Sequence, residues 1–260
     1  MDKRILLIVE GPHDEKVLME KIFDRFDRGI SYSVLPYRTN IHALMRSLFR
    51  DGLDEDVDIV RLLKSSDIPD DRRLGRDETF TDVYLVFDFD PHDPQIDIPM
   101  LRDMLRFFDD PTDRGKLFLN YPMMQSYRHL TGEDDGGFGD RAVPADIGRG
   151  YKELVDREAW NRLRQVNRLD RGLLKWIICR HLMKMNRIVN GRYEMPSLEE
   201  YERIEGWMVL DRQLERIAED GMVFVLNTSL FFIVDYKPSW FLENNGGDGI
   251  QTIPMTNRAS

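Results

Sequence analysis

Two stretches decide the fold: Ile5-Leu-Leu-Ile-Val-Glu-Gly11 and Val83-Tyr-Leu-Val-Phe-Asp-Phe-Asp90 are uninterrupted apolar runs of strand length, each ending in carboxylates. A run that is apolar at every position, with no alternation, suits a strand whose two faces are both covered, as in a parallel sheet between layers of helix. The segments around them obey the same logic. Met19, Ile22, Phe23 and Phe26 recur at i, i+3, i+4 and i+7 after the Gly11-Pro12 turn, which predicts a helix. A strand is expected around Tyr32 to Leu35. Beyond it, Thr39 reads as the N-cap of a helix with Ile41, Leu44, Met45 and Leu48 on its apolar face and Gly52 at its end. Ser65 to Thr81 is rich in Asp and Arg, has no apolar period and reads as a loop. A third helix presents Leu101, Met104, Leu105 and Phe108, and Lys116 to Leu119 makes a fourth strand. The alternation of strand and helix implies an α/β fold with a parallel sheet, right-handed crossovers and flanking helices.

At Gly132-Glu-Asp-Asp-Gly-Gly-Phe-Gly139 the character changes to a flexible acidic loop, and the chain beyond it is mainly helical. The expected division is therefore 1–131 as the sheet domain, 148–243 as a mainly helical C-terminal region and 244–260 as a flexible tail. Helices are expected over Trp160 to Val189 and over Leu198 to Ala218. Met222 to Val234 resists assignment by period alone.

Composition narrows the class. With 42% hydrophobic and 32% charged residues in 260, the chain is long enough to bury a full core. One cysteine, Cys179, inside an apolar helical run excludes an internal disulfide framework and a Cys-rich zinc site, and fits a reducing, cytoplasmic setting. The run Ile5 to Val9 is too short for a signal peptide, and Met222 to Val234 falls short of the ~20 residues that span a bilayer, so no membrane association is expected. The net charge of −10 argues against broad coating of nucleic acid. Its distribution is uneven: residues 149–192 hold twelve Lys or Arg against four Asp or Glu, and 193–260 hold five against twelve. A charged face is most often solvated surface, but Arg162, Arg164, Arg168 and Arg171 form the natural candidate for phosphate contacts.

Ligands of an open parallel sheet bind beyond the carboxyl ends of its strands, where Glu10 and the Asp88 to Asp93 segment both fall. Asp88 and Asp90, spaced i and i+2 along a strand continuation, project to one side. Crowded carboxylates raise one another's pKa unless a cation compensates, and oxygen-only ligands select hard ions such as Mg²⁺. The cluster points to phosphoryl-transfer chemistry.

Val9-Glu-Gly-Pro-His-Asp14 followed by Phe87-Asp-Phe-Asp90 resembles the Toprim signature, an EGxxD motif after the first strand and a DxD motif after the third. The likeness covers residues 1–130. It implies Glu10 as general acid–base or metal ligand and Asp88 and Asp90 as ligands of Mg²⁺, with Mn²⁺ as a substitute and Asp14 and Asp93 as second-rank ligands. The chain has neither room nor cysteines for the further parts of topoisomerases and primases. The remaining likeness is to the OLD-type nucleases of phage defence, which implies hydrolysis of RNA, tRNA included, or DNA. It also implies a partner such as an ATPase or another defence subunit, since the chain has no GxxxxGK[ST] sequence. Self-association is left open. Those relatives commonly carry an acidic residue after the next strand, where this chain reads Asn120-Tyr-Pro-Met-Met-Gln125, so one firmly held cation is expected before two.

Two other readings stand beside this one. Asp88-Phe-Asp90 also resembles the first motif of haloacid-dehalogenase-type phosphatases, with Asp88 as nucleophile, although here the motif comes after the third strand and His92 replaces the usual Thr or Val. A catalytically weak Toprim scaffold is the other. His13 and His92 read as exposed loop residues, and His181 as a core histidine.

Overall fold

The computed structural model describes residues 3–11, 13–27, 29–48, 58–65, 69 and 73–242. Its first half is α/β. The elements run β1 (Arg4–Val9), α1 (Asp14–Phe26), β2 (Ser31–Pro36), α2 (Ile41–Leu48), α3 (Ile59–Leu63), β3 (Asp82–Asp88), α4 (Ile98–Phe107), β4 (Asp109–Asp110) and β5 (Gly115–Asn120). They build a five-stranded sheet of order β2-β1-β3-β5-β4, parallel throughout except for β4 at one edge. The two apolar runs of the sequence are its neighbouring central strands, and Ile5 to Val9 and Val83 to Phe87 are all buried. The two-residue β4, exposed and doubly acidic, leaves that edge little to offer a pairing strand.

Several expectations shift by small, explicable amounts. The cap of α2 is Asn40, whose Oδ1 accepts the Ala43 N–H at 3.1 Å; Thr39 keeps a buried Oγ1 without a partner. Both residue types suit an N-cap, and the exit of the chain from β2 decides between them. Gly52 lies outside the described residues, as do 66–68 and 70–72 of the Asp/Arg-rich stretch. Nor is 132–139 a free acidic linker. Asp135 is buried in a two-pronged ion pair with Arg141 (2.6 and 2.9 Å) and accepts the Thr131 N–H, while Phe138 is wholly buried.

The second half adds β6 (Ala142–Pro144), α5 (Gly150–Glu158), α6 (Arg171–Asn190), α7 (Leu198–Arg203), α8 (Gly206–Asp220), β7 (Met222–Phe224), α9 (Phe232–Tyr236) and α10 (Pro238–Leu242), with β6 and β7 paired antiparallel. Residues 161–168 form two short 3-10 turns, so α6 begins only at Arg171, after Asp170 caps it by accepting the Leu173 N–H. The helix expected over 198–218 is split in two: α7 ends at Arg203, Ile204 is extended, and α8 restarts at Gly206, where a Cβ would lie 2.9 Å from Leu105. Among the described residues no helix is long and apolar enough to cross a membrane.

One apolar core runs through both halves. The return of the chain after β7 fastens them at the site end of β5: Tyr121 and Leu226 exchange backbone hydrogen bonds (2.8 and 2.9 Å), and Thr228 Oγ1 donates to the Leu119 carbonyl at 2.7 Å. Asn227 Nδ2 donates to the Met124 carbonyl at 2.9 Å, and the Asn227 N–H reaches Nδ1 of the buried His181 at 3.1 Å.

Candidate active site

Glu10 comes directly after the last residue of β1 and Asp88 is the last residue of β3, so the parallel pairing of those strands sets them side by side at the carboxyl edge of the sheet. Glu10 Oε2 accepts the Asp88 N–H at 3.1 Å, and the Glu10 N–H donates to the Val86 carbonyl at 3.1 Å. Arg38, just past β2, takes a left-handed backbone (φ 62°) and donates its N–H to the Glu10 carbonyl at 2.9 Å. On the other side, Asn120 ends β5 opposite Asp88 in register and donates Nδ2 to Asp88 Oδ1 at 3.3 Å. Asn120 is itself aimed by the Ser229 N–H, which its Oδ1 accepts at 3.2 Å.

Burial pushes the Glu10 carboxyl up to about 7, with Glu15, Asp90 and Asp93 adding repulsion and the Asp88 N–H opposing them. The Asp88 carboxyl is held well above the ordinary carboxylate range, first by burial and then by Glu10 and Glu15, against hydrogen bonds from Asn120 and the Met124 N–H. Glu15, in the first turn of α1, is also raised by burial and by Asp14. Its side chain folds back over Gly11 so closely that a Cβ on residue 11 would meet Glu15 Oε2 at 2.4 Å. The three carboxylates therefore form a cluster that disfavours full ionisation without a compensating cation or proton.

The remaining candidates stand further out. Asp90 is exposed, and its Oδ1 accepts the His92 N–H at 3.0 Å. Asp93 is tied to the loop by Asn40 Nδ2 (2.6 Å) and the Gln95 N–H (2.8 Å). These two act on Glu10 through charge. Asp14 is exposed and meets Gln125 Nε2 at 2.8 Å and Lys152 Nζ at 4.0 Å. His13 and His92 are exposed, and His181 is a core residue, fully buried.

The four arginines do not act alike. Arg164 donates to the Ala159 and Arg157 carbonyls at 3.2 Å each and so finishes the C-terminus of α5. Arg162 stacks on Trp160, and Arg171 on Trp240 and Phe26. Arg168 is exposed. Arg171 touches the end of α1 opposite to Glu15; eleven helical residues at ~1.5 Å each separate the two contact points by about 16 Å. A cation near the carboxylates is Lys152, which stands 4.0 Å from Asp14 and acts by charge on Glu15.

Among the described residues no group of three or more His, Cys, Asp or Glu side chains is arranged to hold a metal ion. The site offers the Glu10 and Asp88 pair and, at Asp14, the buried Oε1 of Gln125, which has no hydrogen-bond donor. These are hard oxygen ligands, and Mg²⁺ usually takes one or two carboxylates and fills its sphere with water, so the donor set fits one such ion.

Glu15, Gln125 and Lys152 are site residues that the motif spacing passes over. For Glu15 the signal is present: it shares the stripe of Leu18, Met19 and Ile22 at i+3, i+4 and i+7, a carboxylate on the buried face. Compared with known families, curated proteins and solved structures, the chain matches none.

Proposed function

We propose that this protein is a Mg²⁺-dependent Toprim-type hydrolase of phosphodiester bonds in RNA or DNA, acting in the cytoplasm as an effector of phage defence. The observation that carries the reading is the pair of partly buried carboxylates, Glu10 and Asp88, at the carboxyl ends of adjacent parallel strands, with the Asp88 backbone N–H donating to Glu10 Oε2. The Toprim assignment is supported by the two motifs ending neighbouring strands β1 and β3 in the order the signature requires.

Bound Mg²⁺, or Mn²⁺ in its place, would supply Lewis-acid stabilisation of a phosphoryl oxygen. Without a cation, burial and neighbouring carboxylates raise the Glu10 carboxyl to about 7, which suits it to hold and pass a proton in general acid–base work. Asp88 is fixed in orientation by Asn120, and Asp90 and Asp93 add negative potential at Glu10. Asn120 and Gln125, both amides, neighbour the acidic groups, and the reading therefore takes one cation. Arg162, Arg168 and Arg171 contribute phosphate contacts away from the reacting bond, and an ATPase or other defence subunit is the expected partner.

The test is incubation with tRNA, single-stranded RNA and plasmid DNA in Mg²⁺ or Mn²⁺. Cleavage that disappears in Glu10→Gln and in Asp88→Asn supports the site; cleavage indifferent to both overturns it. A second reading, a catalytically weak Toprim scaffold, is favoured by Gln125, an amide donating to Asp14 at 2.8 Å where the resemblance leads one to expect a carboxylate. Nucleic-acid binding by the wild type without cleavage in either metal selects it.

A further inference from the structure

On the far side of β5 from Asp88 lies a second, differently built pocket. An inner chamber of about 40 Å³ is walled by Leu117, Leu119, Met185, Val209 and Phe231. Past Leu105 and Gly206 it shares its lining with an outer cleft of about 300 Å³. Among the described residues that line this cleft the cation is Lys116, and its Nζ stands 2.8 Å from Asp235 Oδ2. The other oxygen of Asp235 accepts the Tyr201 hydroxyl at 2.6 Å. With Lys116 matched by Asp235, the rim keeps Asp109 and Glu202, both exposed, and Glu205, exposed but accepting the Trp207 indole N–H. The inner chamber is too small for an alkyl chain, but a cleft of about 300 Å³ with an apolar wall (Leu105, Phe108, Leu117 and Ile204) and a few polar groups is of small-molecule size, and the exposed carboxylates set the charge of the head group.

We propose that this pocket binds a small organic cation, an amine on an apolar body, with the body along the apolar wall of the outer cleft and the ammonium at the acidic rim. The pocket also reaches the carboxylate site through a continuous set of hydrogen bonds. Thr228 lines the chamber and donates to the Leu119 carbonyl at 2.7 Å; the next residue, Ser229, donates its N–H to Asn120 Oδ1 at 3.2 Å. Asn120 in turn donates to Asp88 at 3.3 Å. A ligand that presses β5 away from residues 228–231 displaces the donor that orients Asp88. Only this coupling rests on the hydrolase reading; the ligand site does not.

The experiment is calorimetric titration of the full chain with hexylamine, hexanol and hexanoate, together with the ¹⁵N–¹H resonance of the Asn120 side-chain amide. Hexylamine is expected to saturate at an affinity about tenfold above that of hexanol, and hexanoate not to bind. Asp109→Asn with Glu202→Gln, both at exposed positions that spare the fold, is expected to bring amine and alcohol to about equal affinity. Equal binding of amine and alcohol by the wild type, preference for hexanoate, or no saturable binding overturns the ligand assignment. Binding that leaves the Asn120 amide unmoved overturns the coupling. All readouts are made without turnover, so a protein that cleaves nothing still decides the ligand site.

Discussion

Asn120 Nδ2 faces Asp88 Oδ1 at 3.3 Å across the β3–β5 register, so a neutral amide borders the carboxylate where a charged neighbour would repel it. Asn120 is fully buried. Replacing it with Asp keeps an acceptor for the Ser229 N–H but turns a donor toward Asp88 into a like charge. Asn120→Asp is expected to lower unfolding free energy by about 2–3 kcal/mol at neutral pH, the scale for losing a buried hydrogen bond to a charged group. Urea denaturation measures this, and millimolar Mg²⁺ should restore part of the loss. No change in midpoint would mean that the amide does not serve Asp88.

The raised Glu10 carboxyl has a definite sign in stability. A carboxyl near 7 in the folded state, against an ordinary 4.5, binds its proton more tightly when folded. The associated stability is fully present below about pH 4.5 and is lost as pH rises through 7. With discount for its partial exposure the effect is about 2 kcal/mol. Thermal unfolding should therefore show Mg²⁺ raising the melting temperature more at pH 8 than at pH 5.5, where protons compete for the same oxygens. Glu10→Gln should remove both the pH step and most of the Mg²⁺ response.

His181 gives the opposite slope. Burial draws its imidazole down to about 3, and Lys184 adds to the effect. A histidine depressed on folding contributes stability that is whole above its ordinary 6.5 and lost as pH falls from there toward 3, at up to ~1.4 kcal/mol per pH unit for one proton. In His181→Gln the acid limb of the unfolding free energy should flatten between pH 6 and 4. An unchanged limb would assign acid sensitivity elsewhere.

The range of each signal along the chain decides which features are legible in the sequence. β1 and β3 are legible because burial on both faces leaves an unbroken apolar run, and Glu10 and Asp88 because they end those runs. β4, two aspartates long, carries no pattern. Asp135 reads as a solvated acid, since its pairing with Arg141 depends on the path of the chain after β5. Glu15 sits on a legible apolar stripe, yet acids in a first helical turn are ordinarily explained by the helix dipole. Gln125 lies 111 residues from Asp14, which it contacts, and no local period reports such a contact.

The arginines separate by role in a salt titration. Arg168 is exposed, whereas Arg164 is spent on the carbonyls that end α5. If the basic segment meets phosphate, Arg168→Ala should reduce the slope of log K against log salt by about 0.7 for a single strand. Arg164→Ala should instead cost about 1 kcal/mol in unfolding free energy. Fluorescence anisotropy with a labelled oligonucleotide in EDTA, from low to moderate salt, reads the first, and urea denaturation the second. Slopes identical to wild type in Arg168→Ala would remove that arginine from the contact surface.

Gly11 offers a way to alter the carboxylate cluster without touching its members. A methyl at residue 11 would lie 2.4 Å from Glu15 Oε2 and 2.9 Å from the Glu15 carboxyl carbon, the far end of a flexible side chain. Gly11→Ala should therefore swing the Glu15 carboxylate away at little cost to the backbone. Glu15 is the foremost charged neighbour raising Glu10, ahead of Asp90 and Asp93. With it displaced, the Glu10 carboxyl should titrate below 7, as tracked by the ¹³C shift of the carboxyl carbon, and a rate limited by that proton should move its pH profile in the same direction. Glu15→Gln should shift the titration the same way. If both leave Glu10 where it is, burial, the Asp88 N–H and the more distant aspartates set its proton affinity, and Glu15 has no part in it.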